Sequence, residues 1–207
     1  MNTFLLLYLS LTIIHMSLRS ENLRWASAIS KVALMPSLLM YYLSINTDTG
    51  MLLLLICLAL LLGTAGDALL LAGHRGKLFY AGMLCFFIGH LAYITYFVLH
   101  LQSWGYFLFA ILALTIPLYK IILSFFPSKE APILSIYAAT LIVLTAFCAS
   151  ALSYIAMGGA IFFAISDYLI ALDVVEKRTF SETTIMGTYT LAQLLLIVGV
   201  LSLQGAI

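Results

Sequence analysis

Charge is what this chain has least of: 8% of its residues are Asp, Glu, Lys or Arg, where a soluble domain carries roughly 25%. Such a chain cannot clothe a water-facing surface, which excludes a soluble enzyme or binding module. A formal net charge of +1 offers no basic face, so no nucleic-acid partner is expected. The three cysteines, Cys57, Cys85 and Cys148, stand singly in apolar runs. They lack the paired spacing of a disulfide framework or a thiolate metal site. No stretch is rich in proline or of low complexity, so no linker divides the chain, and residues 1–207 read as a single transmembrane domain. No Lys or Arg precedes the first apolar run and no small-x-small site follows it. That run is expected to be a retained span and not a signal peptide.

What remains is hydrophobic: 64% of residues are apolar, with a mean hydropathy of +1.16. Apolar runs of about 20 residues match a hydrocarbon core of about 30 Å. Polar interruptions near 19–24, 44–50, 73–77, 100–103, 127–131, 149–153 and 174–184 divide them. The expected fold is therefore all-α, a polytopic bundle of eight transmembrane helices at about 3–18, 25–43, 51–72, 78–99, 104–126, 132–149, 154–174 and 185–204. Pro36 and Pro117 fall inside helices, where each removes a backbone hydrogen bond and favours a kink, and Pro127 and Pro132 bracket a loop. Arg19, Arg24, Arg75, Lys77, Lys120, Lys129, Lys177 and Arg178 lie in or beside the odd connections, and the even connections contain no Lys or Arg. By the positive-inside rule the odd connections are cytoplasmic and both termini non-cytoplasmic. The expected location is a bacterial inner (plasma) membrane.

Two carboxylates break the apolar pattern. Asp67 and Asp167 each sit inside a span behind a small residue, Gly66 and Ser166. A charge at the bilayer centre costs about 2.5–3.5 kcal/mol on insertion scales, so such groups face a bundle interior and mark function. Aligning them shows a faint repeat. Gly66-Asp67, a basic loop at Arg75 and Lys77, and a helix with His90 and Tyr93 parallel Ser166-Asp167, a basic loop at Lys177 and Arg178, and a helix with Tyr189 and Gln193. Four helices separate the aspartates, so the halves would form a parallel four-plus-four repeat about the membrane normal. Both aspartates should lie roughly 8–10 Å from the cytoplasmic surface at ~1.5 Å per residue. Lys31, His90, Tyr93, Tyr189 and Gln193 are placed to join them around one cavity open to the inner leaflet.

Each of these residues also has a bland reading. Either aspartate could be a structural carboxylate near a helix end, and His90 a hydrogen-bonded core histidine. Lys31 could be only a counter-ion, and Tyr189 and Gln193, at i and i+4, only helix–helix partners. His15 reads as a packing or interfacial residue, and His74 and His100 as exposed at helix ends. Functionally, two carboxylates in a low-dielectric pocket will not both be ionised, so one would serve as acid and the other as base. One intramembrane His with two Asp is thin for zinc, so no metal and no cofactor is expected.

Four segments together resemble the YhhN family, which includes the animal lysoplasmalogenases. They are residues 62–70 (Leu-Gly-Thr-Ala-Gly-Asp-Ala-Leu-Leu), 86–97 (Phe-Phe-Ile-Gly-His-Leu-Ala-Tyr-Ile-Thr-Tyr-Phe), 159–167 (Gly-Ala-Ile-Phe-Phe-Ala-Ile-Ser-Asp) and 189–193 (Tyr-Thr-Leu-Ala-Gln). The likeness runs over nearly the whole chain, with the first, fifth and sixth helices alike only in hydrophobicity. The family often has Lys-Pro in the second helix, whereas here Val32 follows Lys31 and the proline comes at Pro36. The resemblance implies hydrolysis of a lysoplasmalogen vinyl ether to a fatty aldehyde and glycerophosphoethanolamine or glycerophosphocholine. It gives Asp67 and Asp167 the acid and base roles. Lys31 would meet the phosphate; His90, Tyr93, Ser166, Tyr189 and Gln193 would position substrate or water. The expected partners are a lysophospholipid drawn from the bilayer and membrane lipids, with the oligomeric state open. A proton-coupled transporter and an intramembrane aspartyl protease are the competing readings. The protease would need Gly-x-Gly-Asp on the later helix, whereas Gly-Asp comes first here and Thr64 stands two residues before Gly66.

Overall fold

A chain this apolar must satisfy its backbone internally, because hydrocarbon supplies no water to peptide groups, and helices do so within one segment. The computed structural model describes residues 2–17, 24–72, 76–175 and 177–207. Among these there are eight helices and no strand: α1 Thr3–Ser17, α2 Arg24–Ile45, α3 Gly50–Ala72, α4 Lys77–Leu99, α5 Trp104–Phe125, α6 Ala131–Ser150, α7 Tyr154–Val174 and α8 Glu182–Leu203. Seven are long and apolar enough to cross a membrane, and the chain is an all-helical, multi-pass membrane protein. The exception is α1, whose 15 residues reach only about 22 Å at 1.5 Å per residue.

Every helix bound falls within three residues of its expectation. The largest difference is the start of α8. Ser181 caps it, accepting a hydrogen bond from the Thr184 backbone N–H at 3.1 Å, and Glu182 follows in the first turn, where a carboxylate complements the helix dipole. A polar stretch read as loop is thus the first turn of a helix. Pro132 likewise belongs to the first turn of α6, where its missing N–H leaves no bond unmade. Both α2 and α5 continue past Pro36 and Pro117. Arg19, Arg75 and the Arg24 side chain, used above for topology, and His74, expected to be exposed, lie outside the described residues.

Two compact units divide the chain: Met1–Tyr93 with Gln204–Ile207, and Ile94–Leu203. In the first, α1 packs on α2 and α2 on α3, around Tyr8, Leu34, Leu38, Tyr42 and Leu60. Gln204 fastens the α2–α3 connection, donating from Nε2 to Asp48 Oδ2 at 2.6 Å and accepting from the Thr47 N–H at 3.2 Å. In the second, α5 packs on α6, α6 on α7 and α7 on α8, around Leu144, Ala160, Phe163, Leu196 and Val200. Only Phe125 of α5 is buried; the exposed Phe109, Leu112 and Ile116 suit a lipid-facing surface.

Packing in lipid gains little from hydrophobicity and depends on close backbone approach at small residues. The α7–α8 pair meets this demand at two glycines. A β-carbon added at Gly199 would stand 2.5 Å from Ala156 Cβ, and one at Gly159 would stand 2.8 Å from the Ala192 carbonyl oxygen. At Gly158 nothing lies within 4 Å. Gly199→Val is therefore expected to destabilise the protein by about 1–3 kcal/mol through overpacking, and Gly158→Ala to leave it unchanged. Thermal unfolding of both variants in detergent checks the pair, and equal midpoints would contradict the close approach.

Candidate active site

Asp67 is carried one residue beyond a tight contact between α3 and α4. Gly66 lies against the Phe86 ring: a β-carbon there would be 2.7 Å from Phe86 Cε2. The same seam continues at Gly82 against Leu70 and Gly89 against Ala59. With α3 seated so tightly on α4, Asp67 is turned inward and only 2% exposed. Tyr8 on α1, itself fully buried, lies within electrostatic reach of both the Asp67 carboxylate and the Tyr93 phenol. His90 and Tyr93, one turn apart on α4, are both buried. The first unit thus gathers Tyr8, Asp67 and Tyr93 from three helices.

Lys31 is half-buried on α2. Its neighbour Ser30 belongs to a polar knot between α1 and α2, where His15 Nδ1 lies 3.0 Å from the Ser27 carbonyl oxygen and 3.1 Å from Ser30 Oγ. A carbonyl can only accept, so Nδ1 carries the proton. His15 is therefore a buried strut joining two helices. His100, expected to be exposed, is half-buried and stacks on Tyr96 with ring centroids 4.4 Å apart.

In the second unit Asp167 is half-buried on α7, and the Tyr137 hydroxyl, on α6, donates to its Oδ2 at 2.6 Å. Ser166 is fully buried, and its Oγ donates to the Ile185 carbonyl of α8 at 3.2 Å. Tyr189 meets the Phe163 ring edge-on at 5.6 Å, and Gln193, one turn further along α8, is buried with it. The residue before each aspartate therefore seats its helix on the next one, Gly66 on α4 and Ser166 on α8.

Tyr8 and Tyr137 escaped the sequence reading. Each is a phenol in an apolar run, a feature shared by enough of the 12 tyrosines that no spacing singles it out. Their arrival gives both carboxylates a phenolic neighbour. Carboxyl and phenol groups held inside a span can give, take and relay protons. Among the described residues no three His, Cys, Asp or Glu side chains gather as metal ligands.

The Gly66–Phe86 contact is testable as a coupling. Gly66→Val should destabilise by about 1–3 kcal/mol through overpacking, and Phe86→Ala by a few kcal/mol through the cavity it leaves. The double variant should be about 0.5–3 kcal/mol more stable than their sum, because each change relieves the other. Additive midpoints in a thermal-unfolding cycle would show that the two side chains do not share that space.

No curated protein and no solved structure matches the chain. The model of the YhhN family matches residues 26–200, from the first turn of α2 to the last turn of α8, and the chain belongs to the YhhN family.

Proposed function

We propose that this protein is an intramembrane hydrolase of the lysoplasmalogenase type. It would cleave the vinyl ether bond of a lysoplasmalogen taken from the bilayer. Membership of the YhhN family supports a lysoplasmalogenase-like assignment. The observation that carries the reaction is Asp67, 2% exposed inside a span and within electrostatic reach of a buried phenol. A carboxyl so placed is more useful for moving a proton than for binding a bulk ion.

The chemistry needs two carboxylates and no cofactor. One aspartate donates a proton to the outer vinyl carbon, and the double-bond electrons shift to leave an oxocarbenium ion. The other, ionised, stabilises that cation and takes a proton from the water that adds to it. The resulting hemiacetal returns its hydroxyl proton to the first aspartate as its C–O bond breaks. The glycerol oxygen takes the proton held by the second. Aldehyde and glycerophosphoethanolamine or glycerophosphocholine leave with both aspartates restored, one water having been consumed. Asp67 and Asp167 are the two acids; Lys31 meets the phosphate, and His90, Tyr93, Ser166, Tyr189 and Gln193 hold head group or water in place. With the odd connections cytoplasmic and both termini outside, both aspartates act in the cytoplasmic half of a bacterial inner membrane.

Purified protein in detergent should release fatty aldehyde from a lyso vinyl ether lipid without any ion gradient. Asp67→Asn and Asp167→Asn should each lose at least about 100-fold in kcat, the usual worth of a general acid or base, with unchanged thermal midpoints. A fully active Asp67→Asn enzyme excludes the mechanism. Lipid movement confined to sealed vesicles, with no aldehyde formed, would replace the hydrolase by a carrier.

A further inference from the structure

The two aspartates are held by different means, and the difference bears on which of them gives up a proton. Tyr137 and Asp167 stand 30 residues apart in sequence and join α6 to α7 by a hydrogen bond of 2.6 Å. Hydroxyl-to-carboxylate bonds close to about 2.5–2.7 Å when the acceptor is ionised, whereas neutral hydroxyl pairs centre near 2.7–2.8 Å. The observed length lies at the short end, where bonds to an ionised acceptor fall. The phenol is the donor and Oδ2 the acceptor, and a hydrogen bond donated to a carboxyl favours its ionised form. Asp167 is also the more open of the two, half-buried where Asp67 is 2% exposed, as a group that must take a proton from water should be.

Resting on the hydrolase reading above, we propose that Tyr137 is a positioning residue: its hydroxyl holds Asp167 as the ionised carboxylate that steadies the oxocarbenium ion and accepts the water proton, leaving Asp67 as the proton donor. The phenol touches neither substrate nor water in this scheme. It acts through Asp167 by fixing the orientation of the oxygen that accepts its hydrogen bond. Because α6 supplies the donor before any lipid arrives, no reorganisation is required during the reaction.

The decisive measurement is made without substrate. Infrared difference spectra of the purified protein at neutral pH report the carbonyl stretch of a protonated carboxyl, which an ionised one lacks. Asp67→Asn should remove such a band from the wild-type spectrum and Asp167→Asn should remove none. Tyr137→Phe should create one that disappears again in Tyr137→Phe/Asp167→Asn. In turnover assays Tyr137→Phe should lower kcat roughly 10- to 100-fold, the weight of a hydrogen bond to a charged group, with KM within about twofold. Loss of a protonated-carboxyl band in Asp167→Asn overturns the assignment, and so does a Tyr137→Phe spectrum identical to wild type. Should the wild type release no aldehyde, the hydrolase reading fails by itself, and the spectra still decide which carboxyl carries the proton.

Discussion

In hydrocarbon no water waits to solvate a polar group, so every hydroxyl, imidazole and carboxyl within the spans must find its partner in the protein. Several hydroxyls solve this locally. Thr12, Thr64, Thr145 and Thr190 each donate to the carbonyl four residues back, at 2.8–2.9 Å, so their protons are satisfied within their own helix. Carboxylates have no such local remedy, since they accept and the helix interior offers no free N–H. They must be met by a donor from another helix. A hydrogen bond to a charged group is worth about 1.5–3 kcal/mol, comparable to the 2.5–3.5 kcal/mol that insertion of the charge costs. On these magnitudes a hydrogen bond such as that from the Tyr137 hydroxyl would offset much of the expense of an ionised carboxylate in a span.

That donor can reach its carboxylate only if the helices are held to within a fraction of an ångström, and in lipid the means of doing so is smallness. Gly66 of α3, Gly159 of α7 and Gly199 of α8 let backbones and rings come closer than a β-carbon would allow. Gly66 and Ser166 show how seam and site are linked: each anchors its helix to the next element in sequence, and the aspartate one residue later is thereby turned to another side. A larger residue would shift the helix and the carboxylate together.

The fold was legible because its signal is coarse: long apolar runs with polar interruptions leave few alternatives to eight helices. Asp67 and Asp167 stood out as candidates for the same reason, since a charge inside such a run breaks its apolar composition. The start of α8 was not legible, because Ser181, Glu182 and Thr183 look like loop by polarity, while Ser181 caps a helix that begins at Glu182. Tyr8 and Tyr137 were hidden more deeply. Tyrosine is at home in apolar spans, and what marks these two is the partner that tertiary packing brings to them. Tyr8 also lies on α1, outside the residues that the family model matches. A recognisable motif can therefore name the carboxylates and stay silent on the phenols packed beside them.

On the mechanism proposed above, a phenol beside Asp167 suits the carboxylate's work better than a lysine, which would bind it more strongly. An ammonium group close by would cancel the negative charge that an oxocarbenium ion needs opposite it, and in low dielectric that loss would be large. Guanidinium would cancel it too, and would occupy both oxygens in its bidentate fork. A phenol donates one hydrogen bond, brings no charge, and holds one oxygen while the other keeps its lone pairs for the reaction. It thus makes the anion tolerable inside the membrane without neutralising it. Sequence reasoning about buried acids looks first for a basic counter-ion, which is why Lys31 drew attention before Tyr137. For an acid that must stabilise a cation, the better search is for a neutral donor on the neighbouring helix.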